Sequence, residues 1–160
     1  MLTDYTTFAD VRAALGVNED DIPDSVLSLS IYNILLTQDF EDIDVTIESV
    51  YATKSALTSP TAAESRFIDA CRLFATFSIA NQLTITLPLF AAQQITDGKA
   101  QVNRFDNLYK DVMAYVLGQY DRARNKLKDA FEAVGETLTV VQPKLYFKNF
   151  APATDPVTGS

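Results

Sequence analysis

The chain has no histidine and a single cysteine, Cys71, and these scarcities exclude a good deal of chemistry. Without histidine the usual base near neutral pH is missing, and no Cys/His set for zinc can be assembled. One cysteine forms no internal disulfide; set among Ala70, Phe74 and Ala75, it reads as a small buried apolar residue. The spacings G-x-S-x-G, G-x-G-x-x-G and H-E-x-x-H are also absent, which removes the nucleophile elbow, the dinucleotide fingerprint and the zinc-protease helix. Paired carboxylates such as Asp39 with Asp42 sit in a polar turn, where nothing apolar raises one pKa. The chain is therefore expected not to be an enzyme, and no cofactor or metal is implied.

Long apolar runs are missing too. The nearest approach to a membrane span, Phe67 to Phe90, is interrupted by Asp69, Arg72, Asn81 and Gln82. The opening Met1-Leu2-Thr3-Asp4-Tyr5 has neither the basic nor the apolar region of a secretion signal, so synthesis in the cytosol is expected. Positive charge is scarce where it would matter for reading DNA. Residues 1–53 hold eleven acids against one base, Arg12, a net of −10, and residues 54–160 hold twelve bases against ten acids, a net of +2. Such asymmetry suits an assembly surface, or a face kept off nucleic acid, or simply a solvated acidic end.

What is present is a chain of 160 residues, 48% hydrophobic, enough for one domain with a core. From Ala100 to Val134, apolar residues recur in steps of three and four: Val102, Phe105, Tyr109, Val112, Val116, Tyr120, Ala123, Leu127, Ala130 and Val134. Charged residues from Arg104 to Asp129 form the opposite flank, and Gly135 supplies the stop. A helix of that length is about 50 Å long, against a diameter of about 40 Å for a compact chain of this size. It should find part of its cover on a neighbouring chain.

Ahead of it, Thr7 with Asp10 three residues on caps a short helix carrying Phe8, Val11, Ala14 and Leu15 as far as Gly16. The polar loop from Val17 to Pro23 leads to a second helix, opened by Asp24 or Ser25 and reaching about Thr37, with Val26, Leu29, Tyr32 or Asn33, and Leu36 facing inwards. The acidic turn with Asp39, Glu41, Asp42 and Asp44 lacks the glycine and final glutamate of a calcium loop and reads as a solvated helix start. Ile43, Ile47, Val50, Tyr51 and Leu57 mark a third helix. Thr61 and Glu64 form a stronger capping box, opening a central helix to about residue 86 that is apolar on more than half its circumference. A break is expected at Thr86 to Pro88, then a short apolar continuation at Leu89, Phe90 and Ala91. Asp97-Gly98-Lys99 is a turn signal without the glycine spacing or hydroxyl of a phosphate loop.

After Gly135 the composition changes. Three of the six prolines fall here, Thr137 to Val141 reads as a short strand, and Leu145, Tyr146, Phe147 and Phe150 form an aromatic cluster. An extended arm docking on another surface accounts for both features, with the aromatics as partner-binding anchors; the alternative is that they fold back on the chain's own helices. The expected fold is all-α: a helical bundle built on two long helices, about 61–86 and 100–134, with short N-terminal helices. Residues 1–135 form the body, and residues 136–160 an extended C-terminal arm.

Two segments carry a family resemblance, Phe8-Ala9-Asp10-Val11-Arg12-Ala13-Ala14-Leu15-Gly16-Val17 and Ile95-Thr96-Asp97-Gly98-Lys99-Ala100-Gln101-Val102. With the order of helices, they resemble the adaptor, or head-to-tail connector, proteins of tailed bacteriophages. The resemblance implies a structural virion protein, present as a homo-oligomeric ring of about twelve copies, bound to the portal protein above and to tail or nozzle proteins below. It also implies a lumen through which genomic DNA passes without specific binding, and the acidic clusters Glu19, Asp20, Asp21 and Asp39, Glu41, Asp42 are candidates for lining it. A soluble helical bundle that binds a protein partner, or a small apolar ligand in the Phe-rich interior of Phe67 to Phe90, is the competing function.

Overall fold

The computed structural model describes residues 2–84, 94–97, 100–103, 108–136 and 138, of which 94–97, 100–103 and 108–110 are described by their backbone alone. The element order is α1 (Leu2–Tyr5), α2 (Phe8–Leu15), α3 (Asp24–Leu27), α4 (Ser30–Glu41), α5 (Ile47–Ser55), α6 (Ala62–Thr84), β1 (Gln94–Asp97), β2 (Ala100–Asn103) and α7 (Leu108–Ala133). The described body is mostly helical, with one antiparallel hairpin.

Helix α6 is the hub. It packs along α7 on one side and carries α1, α2, α4 and α5 on others, which is why Phe67, Cys71, Phe74, Ala75, Ser78 and Ile79 are all fully buried on a helix with little polar face. Thr61 and Glu64 open it as a reciprocal box: Glu64 N donates to Thr61 Oγ1 (3.3 Å) and Thr61 N donates to Glu64 Oε2 (2.8 Å). The two long helices run antiparallel, since Phe67 meets Phe131 at 5.9 Å between ring centroids and Phe74 meets Tyr120 at 5.5 Å. Rings continue the core across the other helices: Phe74 to Phe40 (5.3 Å), Phe40 to Tyr5 (4.9 Å), Tyr5 to Tyr51 (4.4 Å). Such tilted pairs add about 0.5–1.5 kcal/mol each beyond their burial.

Helix α2 follows the expected reading. Thr7 accepts from Asp10 N at 3.1 Å, and Gly16 closes it with φ 70°, a left-handed conformation that costs glycine little. Gly135 stops α7 in the same way, at φ 87°.

Several expectations need correction. The last long helix starts at Leu108, not Ala100, because Gln94–Asp97 and Ala100–Asn103 pair as strands, with Ile95 opposite Val102. The antiparallel register takes Val102 into a strand although its spacing also fits the helical run. At 26 residues α7 is about 39 Å long, so it fits the body, and excess length no longer argues for a neighbouring chain. Its buried stripe keeps Val116, Ala123 and Leu127 and adds Phe131, while Arg124 and Lys128, placed on the solvated flank, are partly buried.

The second helix is divided into α3 and α4 by a break at Ser28–Leu29. Pro23 rather than an acid or serine side chain occupies the N-cap of α3. The break turns Leu29 out to 51% exposure; the expected inner stripe keeps Tyr32 and Leu36, leaves Val26 half-buried and gains Leu27 and Phe40. The acidic turn is only partly solvated: Asp44 is buried at 1% and accepts from Thr46 N and Oγ1. Leu57, expected on the stripe of α5, is exposed at 43%.

The expected break at Thr86–Pro88, the continuation at Leu89–Ala91, the Gly98-Lys99 turn and the arm beyond Leu138 lie outside the described residues.

Candidate interaction surface

The N-terminal third is acidic, and the structure sorts its carboxylates into two groups. Glu19, Asp20, Asp21, Glu41 and Asp42 stand exposed. Asn18 organises the first three, its Oδ1 accepting from Asp20 N (2.9 Å) and Asp21 N (3.1 Å). Arg12 then ties this loop down: Nη1 donates to Ile22 O at 3.0 Å and pairs with Asp24 at 2.7 Å. As the lone base of the first 53 residues, Arg12 is spent on holding the acidic loop in place, a role its isolation in the sequence hinted at.

Asp39 belongs to the second group. It is turned inwards at the junction of α4, α6 and α7, where Ser78 Oγ donates to its Oδ2 at 2.5 Å. Burial holds its carboxyl above the ordinary carboxylate range, while the Ser78 hydrogen bond and the Arg124 guanidinium oppose the rise. Tyr120, stacked on Phe74, has its phenol pushed up by burial and then by the neighbouring Asp39 charge. Arg124 Nε is buried at this junction and has no hydrogen-bond partner among the described residues. Asp39 is thus half-buried and engaged by Ser78, whereas the other five carboxylates stand exposed. Among the described residues no group of three or more His, Cys, Asp and Glu is placed to hold a metal ion, and no helix is long and apolar enough to cross a membrane.

Exposed apolar side chains were not foreseen. Leu29, Ile31 and Ile34 are 48–54% exposed around α4, and Tyr115 and Leu117 are exposed at 56% and 50% on α7. Helix α4 is apolar on both faces: Tyr32, Leu36 and Phe40 point in while Ile31 and Ile34 point out. That two-sided pattern is legible in Ser30 to Glu41, and its signal is a helix too apolar for one-sided burial. The interior proposed for an apolar ligand is occupied by the chain's own rings, Phe67 against Phe131 and Phe74 between Phe40 and Tyr120. Cys71 is buried and free, its thiol pushed up by burial.

The partner-binding residues read from the sequence, Leu145, Tyr146, Phe147 and Phe150, lie outside the described residues. The chain reaches towards them from Leu138, which is partly buried against the core. No protein-family model matches the chain, and neither a curated protein nor a solved structure matches it.

Proposed function

We propose that the chain is a structural virion protein, the subunit of an adaptor ring that docks under the portal and joins it to the tail. The observation that carries the assembly part is the presence of exposed apolar side chains on two different helices, Ile31 and Ile34 on α4 and Tyr115 and Leu117 on α7. Large apolar side chains left exposed offer cover to another protein surface, and a closed ring repeats a contact between two unlike surfaces of one chain. The place in the virion comes from the resemblance at Phe8 to Val17 and Ile95 to Val102. The exposure of Glu19, Asp20, Asp21, Glu41 and Asp42 agrees with a wall that lets DNA pass without gripping phosphate.

Light scattering on the purified chain tests the reading. A fixed multiple of 17.7 kDa, with annular particles by electron microscopy that bind isolated portal rings, is the expected result. A chain that stays monomeric and ignores the portal would refute it.

A further inference from the structure

Helices α4 and α7 each leave one outward face uncovered, and the two faces carry the same spacing. On α4, Tyr32, Leu36 and Phe40 point inwards, so Ser30, Ile34 and Glu41 fall together on the far side, all exposed. On α7, Asp111, Tyr115 and Arg122 share one exposed face. Gly118 lies among them, where an added Cβ would meet nothing within 4 Å. In both sets the steps are four and then seven positions, about 6 Å and about 10 Å along the axis.

Their chemistry matches position by position. Ile34 and Tyr115 are apolar and exposed at 54% and 56%. Glu41 and Arg122 carry opposite charges, and among the described residues neither makes an ion pair. Ser30 opens α4 after Leu29, an N-cap without a side-chain hydrogen bond, so the first-turn N–H groups there favour an acid such as Asp111. Gly118 supplies no side chain to hold two backbones apart.

The two faces cannot meet within one chain. The side of α7 nearest α4 carries Tyr120 and Arg124: Phe74 lies between Phe40 and Tyr120, and the Arg124 guanidinium acts on the Asp39 carboxylate. Tyr115 is nine positions from Arg124, about two and a half turns, and so faces the opposite way. Ile34 likewise points away from the core that α6 and α7 supply. One copy thus presents unlike, matching faces on opposite flanks, an arrangement that adds copies in series and closes to a ring when the rotation allows.

We propose that α7 of one copy lies along α4 of the next, the two helices running in the same direction, with Tyr115 on Ile34, Arg122 beside Glu41 and Asp111 at the start of α4. The inference rests on the ring reading above and names the two faces that repeat in it.

Charge reversal in the full-length chain tests it. Glu41→Arg and Arg122→Glu are each expected to shift the mass seen by light scattering from the assembled particle to a single chain, with helicity unchanged. Combining the two substitutions restores the pair with its signs exchanged and should restore the assembled mass. Single variants that assemble as the parent does, or a combined variant that stays dissociated, overturn the contact and leave the ring reading standing. Oxidation of a chain carrying both Ile34→Cys and Tyr115→Cys is an independent readout, the native Cys71 being buried. A ladder of interchain disulfides, absent from either single variant, is expected. Disulfides in Ile34→Cys alone would show α4 meeting α4, and a disulfide confined to one chain would show the faces meeting in cis; either overturns the proposal. A parent chain that is monomeric at every concentration overturns the ring reading itself.

Discussion

Ser78 donates its hydroxyl to the inward-turned carboxylate of Asp39 at 2.5 Å, joining α4 to the central helix across 39 positions of sequence. Removing the hydroxyl with Ser78→Ala leaves a half-buried carboxylate short of its donor, at a cost of about 1–3 kcal/mol. Urea denaturation at neutral pH measures it. A change below a few tenths of a kcal/mol would mean that water replaces the bond.

The same carboxylate sets a pH dependence. Because the folded state raises the pKa of Asp39 above 3.8, the folded chain holds this proton more tightly than the unfolded chain. Its contribution to stability therefore falls as pH rises from 3.8 through the folded pKa and is lowest above it. Asp39→Asn keeps an acceptor for Ser78 and removes the titration, so it should flatten this part of the stability profile. A profile of unchanged slope would show that other groups dominate.

Glu64 acts in the opposite sense. The hydrogen bond from Thr61 N, followed by Lys54 at 2.9 Å, holds its carboxyl down from 4.5 to about 2. The stabilisation is complete above about pH 4.5 and is lost as pH falls towards 2. Glu64→Gln should remove this acid-sensitive part, and Thr61→Ala should cost about 1 kcal/mol by loss of the cap. Parallel acid-unfolding curves for the parent and Glu64→Gln would contradict the assignment.

Two glycines should respond with opposite signs to alanine. Gly118 lies inside α7 with nothing within 4 Å of an added Cβ, so Gly118→Ala should stabilise by about 0.5–1 kcal/mol. Gly16 has equal room but φ 70°, and Gly16→Ala should destabilise by about 1–2 kcal/mol. Thermal melts of the pair decide it; equal shifts would mean that backbone conformation at position 16 is not the controlling factor.

Val116 is fully buried on α7, and Val116→Asp should cost several kcal/mol through an unpaired buried carboxylate. That is a large share of a typical 5–15 kcal/mol. Loss of cooperative unfolding by circular dichroism is expected, and a stable, soluble variant would refute the placement of the stripe.

Local signals carried furthest where they were chemically redundant. Thr7 with Asp10 and Thr61 with Glu64 each combine a cap with its reciprocal partner, and both helices start where the residues say. Periodicity alone did less well, because Val102 satisfies a helical spacing and a strand pairing equally, and the pairing with Ile95 prevailed. The break at Ser28–Leu29 has no proline or glycine to announce it; it follows from packing, since it lets Leu27 and Tyr32 both point inwards. The inward turn of Asp39 was hidden for a related reason, its donor Ser78 being far along the chain. As for the surface, the two-sided apolar pattern of α4 was legible but was assigned to one face only.

The one-turn helix α1 is tied down by residues far from it in sequence. Leu2 N donates to Asn33 Oδ1 (2.7 Å), Tyr51 Oη to Asp4 O (2.8 Å), and the Thr6 and Thr76 hydroxyls meet at 2.6 Å. A four-residue helix has no stability of its own, so α1 can lock only after α4, α5 and the middle of α6 exist. On a ribosome adding about 5–20 residues per second, the 70 positions between Thr6 and Thr76 amount to a wait of about 4–14 s. This segment is therefore fixed only after much of the chain downstream of it exists, and during that interval Leu2 and Tyr5 are open to whatever else the nascent chain meets.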